Sequence, residues 1–192
     1  YTITATSAIS CVANQTETTT VEVEVYELPD APTINEETTV CPNTPFTLPT
    51  IDGDGNWYAQ AKGGNAYAST TINGITETTY YYAEAVKYGC ASATRTQYTV
   101  NVHTAPVAPI ISLNPATVGQ DKNSVLSISN ETYSPSNTKY ELYKGSEKVG
   151  EMTAQTTNVS SSNVGDVIYS VKATHKECTA LTSTSNEVTL TV

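Results

Sequence analysis

A strand pattern that occurs three times constrains the fold of this chain more than any other feature. In each copy a Tyr is followed two residues later by an aliphatic residue and four residues later by Ala, and a Cys lies in the next turn. Because side chains alternate between the two faces of a strand, these three positions share one face and can line a core. The pattern therefore predicts the last strands of three separate β-sandwich units. The copies are Tyr1-Ile3-Ala5 with Cys11, Tyr81-Ala83-Ala85 with Cys90, and Tyr169-Val171-Ala173 with Cys178.

Two Pro-rich segments indicate where these units begin. Pro29–Ile34 and Pro106–Ile111 share a Pro-x-Ala-Pro sequence and lie 77 residues apart. Such a repeat is typical of tandem domains. Each follows an alternating run that is typical of a final strand, at 21–25 and 98–102, and a third run closes the chain at 188–192. We therefore predict a closing β-hairpin remnant of an upstream unit in residues 1–28, and complete sandwiches in residues 29–104 and 105–192.

The middle strands of the two complete units also correspond. Trp57–Ala61 leads to a turn at Lys62-Gly63-Gly64, and Tyr140–Tyr143 leads to a turn at Lys144-Gly145. Glycine adopts the positive φ that tight hairpin turns require. Both segments are therefore predicted to double back within one sheet.

The composition agrees with an all-β protein and excludes several partners. The chain has 13 Tyr but only one Phe and one Met, and Thr is abundant, which favours pleated strands over helices. Its net charge of -10 leaves no basic face for phosphates, so nucleic acid is not an expected partner. No segment approaches the roughly 20 apolar residues that cross a bilayer, so we expect no membrane insertion in this fragment. The first residue is not Met and lies within a strand pattern, which suggests a piece of a longer protein.

A family resemblance rests on five short motifs in residues 29–104. The chain resembles the immunoglobulin-like repeat modules of Bacteroidetes-type secreted and cell-surface proteins. This resemblance implies tandem Ig-like antiparallel β-sandwiches in an elongated array, placed outside the cell or on its surface. It is weaker over residues 105–192, where no Trp occurs and Gly119 stands near the position that matches Cys41. The motifs are Thr39-Val40-Cys41, Trp57-Tyr58, Lys62-Gly63-Gly64, Thr78-Thr79-Tyr80-Tyr81-Tyr82 and Gly89-Cys90-Ala91-Ser92.

The cysteines of this region suggest a disulfide. The order Cys41, Trp57, Cys90 resembles that of immunoglobulin domains, in which a Trp packs against a bridge between the sheets. A bridge from Cys41 to Cys90 would close a loop of about 50 residues, which is worth roughly 4 kcal/mol in the chain-entropy treatment, and implies an oxidising compartment. Two free buried thiols are the alternative. Cys11 and Cys178 have no assigned partners.

Three tyrosines are the candidate ligand-facing aromatics, namely Tyr58, Tyr80 and Tyr82. Exposed aromatic rings can stack against sugars, although structural packing is the simpler interpretation of these residues. Asp52 and Asp54 are a weak candidate for a calcium site, because Trp57 and Gly63 stand where an EF-hand loop needs Gly and Glu. A solvated turn is the favoured interpretation there.

No combination of residues predicts catalysis. His103 and His175 lie in different predicted units without the neighbours that a catalytic triad needs, so both are expected to be ordinary surface residues. No metal site or cofactor is predicted. We therefore expect a non-enzymatic extracellular structural or adhesive module, acting as a spacer or binding repeat of a larger bacterial surface or secreted protein. The alternative is a carbohydrate-binding module of a secreted glycan-degrading system. The expected partners are neighbouring repeats of the same chain and an unidentified protein or glycan ligand.

Overall fold

The computed structural model describes residues 2–6, 16–20, 24–34 and 37–192. Every regular element in these ranges is a β-strand, which confirms the all-β prediction. Cys11, Tyr1 and most of the strand predicted at 21–25 lie outside the described residues. The strands in the first part of the chain are β1 (Thr2–Thr6), β2 (Thr16–Thr20), β3 (Thr38–Val40), β4 (Phe46–Thr47), β5 (Asp54–Tyr58), β6 (Thr71–Ile72), β7 (Thr79–Lys87), β8 (Cys90–Ala91) and β9 (Thr96–Val102).

The second part of the chain continues the same strand-and-turn organisation. The strands predicted at Tyr140–Tyr143, at Tyr169–Ala173 and at the end of the chain are among its elements. These elements are β10 (Ile111–Asn114), β11 (Ser124–Ile128), β12 (Thr138–Lys144), β13 (Glu147–Met152), β14 (Thr156–Val159), β15 (Asp166–His175), β16 (Thr182–Thr184) and β17 (Val188–Thr191).

The chain forms two compact units, each assembled from separated segments. The first unit comprises Tyr1–Glu36, Pro49–Thr70 and Tyr80–Tyr98. The second comprises Glu37–Leu48, Thr71–Thr79 and Thr99–Val192. The predicted repeats are instead continuous in sequence, and their boundaries stay a prediction.

The first unit is built on the pairing of β5 with β7. These strands are antiparallel, with Trp57 opposite Ala83. Trp57 is buried with Tyr81 and Ala83, and its ring meets Tyr98 edge-on at 5.7 Å between centroids. Its indole N–H donates to the Pro49 carbonyl at 3.1 Å, which satisfies the polar atom of this otherwise apolar residue. The predicted burial of Tyr81 and Ala83 on one face of β7 is confirmed, whereas Ala85 is only half-buried.

A glycine allows the close approach of β5 to β7. A Cβ atom at Gly55 would lie 2.6 Å from the Glu84 carbonyl oxygen and 2.7 Å from a methyl of Ile51. The oxygen belongs to the backbone and cannot move aside cheaply. Gly55 therefore permits the pairing that positions Trp57 in the core.

One strand pair departs from the antiparallel expectation. The five-stranded sheet has the order β3, β9, β7, β5, with β8 paired to β7. Within it, β3 runs parallel to the end of β9, so that Val40 lies opposite Val102. The sequence between these strands is long enough to return the chain in the same direction, which a short hairpin cannot do. Cys41, the residue after β3, therefore lies beside the end of β9.

The second unit contains a sandwich core between two sheets. One sheet has the order β10, β11, β14, and the other has the order β13, β12, β15, β16, with β17 also paired to β15. Tyr169, Val171 and Ala173 of β15 are buried, as their alternation predicts. Their core cluster also contains Leu126 and Ile128 from the smaller sheet. Because both sheets contribute to one cluster, the arrangement is that of a β-sandwich.

The hairpin predicted after Tyr143 is confirmed. β12 and β13 pair from Tyr140 opposite Met152 to Lys144 opposite Glu147. Gly145 in the turn has φ 58°, the left-handed region that glycine tolerates.

Candidate functional site

The disulfide differs from the predicted one. Cys41 is bonded to Cys178, 137 residues away in sequence, with 5.5 Å between their Cα atoms. Cys90 is a free thiol that no other described cysteine contacts. The expected Cys41–Cys90 pair is therefore corrected. The reason lies in the strand pairing, because Cys41 follows β3 at the end of β9, whereas Cys90 lies opposite Lys87 in the tight β7–β8 hairpin.

Both histidines lie next to this disulfide. The His103 and His175 rings are 4.4 Å apart, and His103 Nε2 lies 3.0 Å from a carboxylate oxygen of Glu177. His175 is only 4% exposed, so the expectation of a surface histidine is wrong for this residue. Its Nδ1 accepts the backbone N–H groups of Glu177 and Cys178 at 3.2 and 3.1 Å. An accepting Nδ1 carries no proton, so His175 acts here as a fixed acceptor that orders the turn leading to the disulfide.

A cleft of about 340 Å³ lies beside these histidines. Its walls include the chain from Val102 to Val107 and the polar side chains of Thr132, Asn137 and Thr138. The cleft contains no Ser or Cys nucleophile hydrogen-bonded to either histidine among the interactions of the described residues. The side chains of Thr132, Asn137 and Thr138 form hydrogen bonds within the local fold.

The structure places the three predicted aromatic residues in different environments. Tyr58 and Tyr82 are half-buried and lie opposite one another across β5 and β7. The Tyr82 hydroxyl lies 3.4 Å from the Gln97 amide oxygen. Tyr80 is 49% exposed and lies two residues before Tyr82, near the start of β7. Tyr58 and Tyr82 are thus brought together, and Tyr80 offers the most open ring.

Arg95 covers the ring of Tyr58. Its guanidinium carbon lies 3.2 Å from the ring centroid, and its Nε donates to Glu84 at 2.9 Å. The same guanidinium donates to the carbonyls of Gln60 and Gly63 at 2.8 and 2.7 Å. These bonds fasten the loop after β5 onto the outer surface of β5 and β7. We name this group of Arg95, Glu84 and Tyr58 the arginine clamp.

Tyr58 is also held through its hydroxyl. The hydroxyl donates to Glu84 at 2.7 Å. That hydrogen bond is the largest cause, and partial burial the second largest, that raises the pKa of Tyr58 above its ordinary value. With the ring stacked under Arg95 and the hydroxyl bound to Glu84, Tyr58 has a structural role in this conformation.

Asp52 and Asp54 flank Gly53 at the start of β5. Gly53 has φ 78°, so this segment is a turn that uses the conformational freedom of glycine. Across the described ranges, no group of three or more His, Cys, Asp or Glu side chains is arranged to hold a metal ion. Asp52 and Asp54 instead line a groove with Asp30 and the end of β7.

This groove leads to an aromatic pair that the sequence analysis did not identify. Tyr26 and Tyr88 stack with their ring centroids 4.2 Å apart and their planes inclined by 27°. Tyr88 is 65% exposed and has φ 52°, an uncommon backbone conformation for a bulky residue. A hydrogen bond to Glu24 raises the pKa of Tyr26. The only sequence signal was a Tyr directly before the Gly of a hairpin turn.

One known family matches the segment of the chain that contains the arginine clamp and the groove. Residues 29–103 match the family model described as Ig-like domain CHU_C associated. Over these residues the chain is similar to that family. The match confirms the resemblance to Ig-like modules of Bacteroidetes-type bacteria. No curated protein matches the chain significantly by sequence.

Several solved structures resemble the chain at low sequence identity. Murine CEACAM1b is 14% identical, with 79% of this chain and 94% of that chain covered and a TM-score of 0.38. Titin domains A168–A170 are 15% identical, with coverage of 92% and 70% and a TM-score of 0.44. The D00-D0 domain of intimin is 10% identical, with coverage of 84% and 99% and a TM-score of 0.32.

In the ranges that the structure describes, the chain has no helix with the length and apolar character needed to span a bilayer.

Proposed function

We propose that this chain is a non-catalytic extracellular module that acts as a spacer within a larger bacterial surface or secreted protein. The match of residues 29–103 to an Ig-like family model supports the proposal, because Ig-like domains commonly have structural and binding roles. The observation that carries the proposal is the disulfide between Cys41 and Cys178, because it closes most of the chain into one covalent loop. Disulfides persist in oxidising surroundings outside the cytosol, which supports an extracellular location.

A spacer must keep its reach under load, and the disulfide limits how far this chain can be extended. With the bridge intact, the chain between the two cysteines, which are 137 positions apart in sequence, cannot contribute to the end-to-end length. At about 3.6 Å per extended residue, roughly 490 Å of chain is withheld in this way. The sandwich core of the second unit adds resistance, since Leu126, Val171 and Leu190 have no exposed surface.

Single-molecule force extension tests this proposal. The chain is pulled from its two ends under oxidising conditions and again after reduction. We expect the oxidised chain to withhold about 490 Å of contour length that the reduced chain releases. Cys178→Ser should release this length without reductant, whereas Cys90→Ser should behave as the unaltered chain. Full extension of the oxidised chain at low force would contradict the proposed spacer role.

A carbohydrate-binding module that uses Tyr58, Tyr80 and Tyr82 is the second candidate. Exposure of Tyr80 favours it. The coverage of Tyr58 by Arg95 weighs against a flat platform made of all three rings. The stacked pair of Tyr26 and Tyr88 favours glycan binding at another surface of the first unit.

A further inference from the structure

An open groove in the first unit combines an exposed aromatic ring with hydrogen-bond acceptors and hydrogen-bond donors. It encloses about 750 Å³ and is formed by Pro29–Thr33, by Asp52–Asp54 and by the end of β7 from Ala85 to Tyr88. This volume lies within the range of small-molecule and cofactor sites. Because Asp54 pairs with Val86 in the β5–β7 ladder, one wall of the groove is regular sheet. That wall of the groove therefore rests on a rigid scaffold.

Tyr88 is the aromatic surface of this groove. Tyr26 stacks on it, yet Tyr88 keeps 65% of its surface exposed. Tyr88 lies in the turn of the β7–β8 hairpin, where its φ is positive. A large ring in such a position costs conformational energy and exposes apolar area to water. A ligand that covers the ring would recover part of that cost.

The polar lining supplies hydrogen-bond acceptors and donors. The carboxylates of Asp30, Asp52 and Asp54 form no hydrogen bond or ion pair with the described residues. Lys87 lies at the same end of the groove, with its ammonium 5.4 Å from the Tyr88 ring centroid. Carboxylates accept hydrogen bonds and an ammonium group donates them. The hydroxyl groups of a ligand can donate hydrogen bonds to the carboxylates and accept one from the ammonium group.

We propose that this groove binds a neutral glycan chain, with Tyr88 stacking against a sugar ring and Asp52 and Asp54 accepting hydrogen bonds from its hydroxyls. An acidic glycan would meet three carboxylates and only one ammonium group, so like charges disfavour it. A basic peptide would match the charge, but ion pairs at exposed positions contribute little and are screened by salt. The ring surface and the mixture of donors and acceptors favour a hydroxyl-rich ligand.

Isothermal titration calorimetry of the whole chain tests this proposal. The probes are cellohexaose, xylohexaose and mannohexaose as neutral glycans, hexagalacturonate as the acidic glycan, and hexa-arginine as the basic peptide. We expect at least one neutral probe to bind and the acidic probe not to bind. Tyr88→Asn should weaken the neutral probe about tenfold or more, since Asn removes the ring and tolerates the left-handed backbone of this position. Asp52→Asn should weaken it several-fold at an exposed turn, where folding is not at risk.

The matched control is Tyr67→Asn, which removes a partly exposed Tyr of the first unit that does not line the groove. This variant should change the affinity by less than about twofold. Unchanged binding by Tyr88→Asn and Asp52→Asn, an equal loss in Tyr67→Asn, binding of hexa-arginine alone, or no binding of any neutral probe would each overturn the proposal. Binding is measured without load, so its failure is separate from failure of the spacer role.

Discussion

Removal of Arg95 should destabilise the chain far more than removal of a surface lysine. The side chains of Arg95 and Glu84 are 9% and 13% exposed, so Arg95→Ala leaves a nearly buried carboxylate without its cation. Breaking one partner of a buried ion pair costs about 3–5 kcal/mol, and the lost stacking on Tyr58 adds to this. Water can enter the space that the arginine side chain leaves and can solvate the Glu84 carboxylate in part. We therefore expect a loss of about 3–4 kcal/mol in the free energy of unfolding. Urea denaturation followed by Trp57 fluorescence measures it.

Two further variants test whether loss of the arginine clamp causes the expected loss of stability. Lys148→Ala removes an ion pair with Glu141 in which the lysine side chain is 44% exposed, and should cost no more than about 1 kcal/mol. The double variant Arg95→Met with Glu84→Gln leaves no unpaired charge and should recover much of the loss. A loss under about 1 kcal/mol in Arg95→Ala, or no recovery in the double variant, would refute the reasoning.

Three other predictions concern the second unit and the disulfide. Leu126→Ala should lower the free energy of unfolding by about 2–5 kcal/mol, because Leu126 is fully buried, whereas Val125→Ala on the exposed side of the same strand should cost under about 1 kcal/mol in the same urea assay. Cys178→Ser should lower it by about 3–5 kcal/mol through loss of the bridge, and a melting temperature equal to that of the unaltered chain would contradict this. A hydrogen bond from Lys148 lowers the pKa of Glu141 below 4.5, so this pair stabilises the fold above that pH and its contribution is lost as the pH falls through the lowered pKa. Lys148→Gln should therefore show a shallower loss of stability between about pH 5 and pH 3, and an unchanged slope would contradict the assignment.

Local patterns predicted the strands well because burial imposes a period of two on them. Tyr81 and Ala83 in β7, and Tyr169 and Val171 in β15, are buried as their alternation indicates. The turn at Gly145 was predictable for a similar reason, since the need for a positive φ is local.

Interactions between distant segments were not predictable in this way. The partner of Cys41 depends on the parallel pairing of β3 with the end of β9, which no local pattern specifies. The coverage of Tyr58 depends on Arg95, which reaches it from the loop that precedes β9. The stack of Tyr26 on Tyr88 likewise joins residues that are far apart in sequence. The sequence could therefore indicate which residue types suit a binding site, but it could not show which of these side chains are exposed to a ligand.

Disulfide mapping tests the central structural claim most directly. The folded protein is alkylated without reduction, digested, and analysed by mass spectrometry for cross-linked peptides. The account predicts a cross-link between the peptides that contain Cys41 and Cys178, with an alkyl group on Cys90. A cross-link between Cys41 and Cys90, or alkylation of Cys41 in the folded protein, would contradict it.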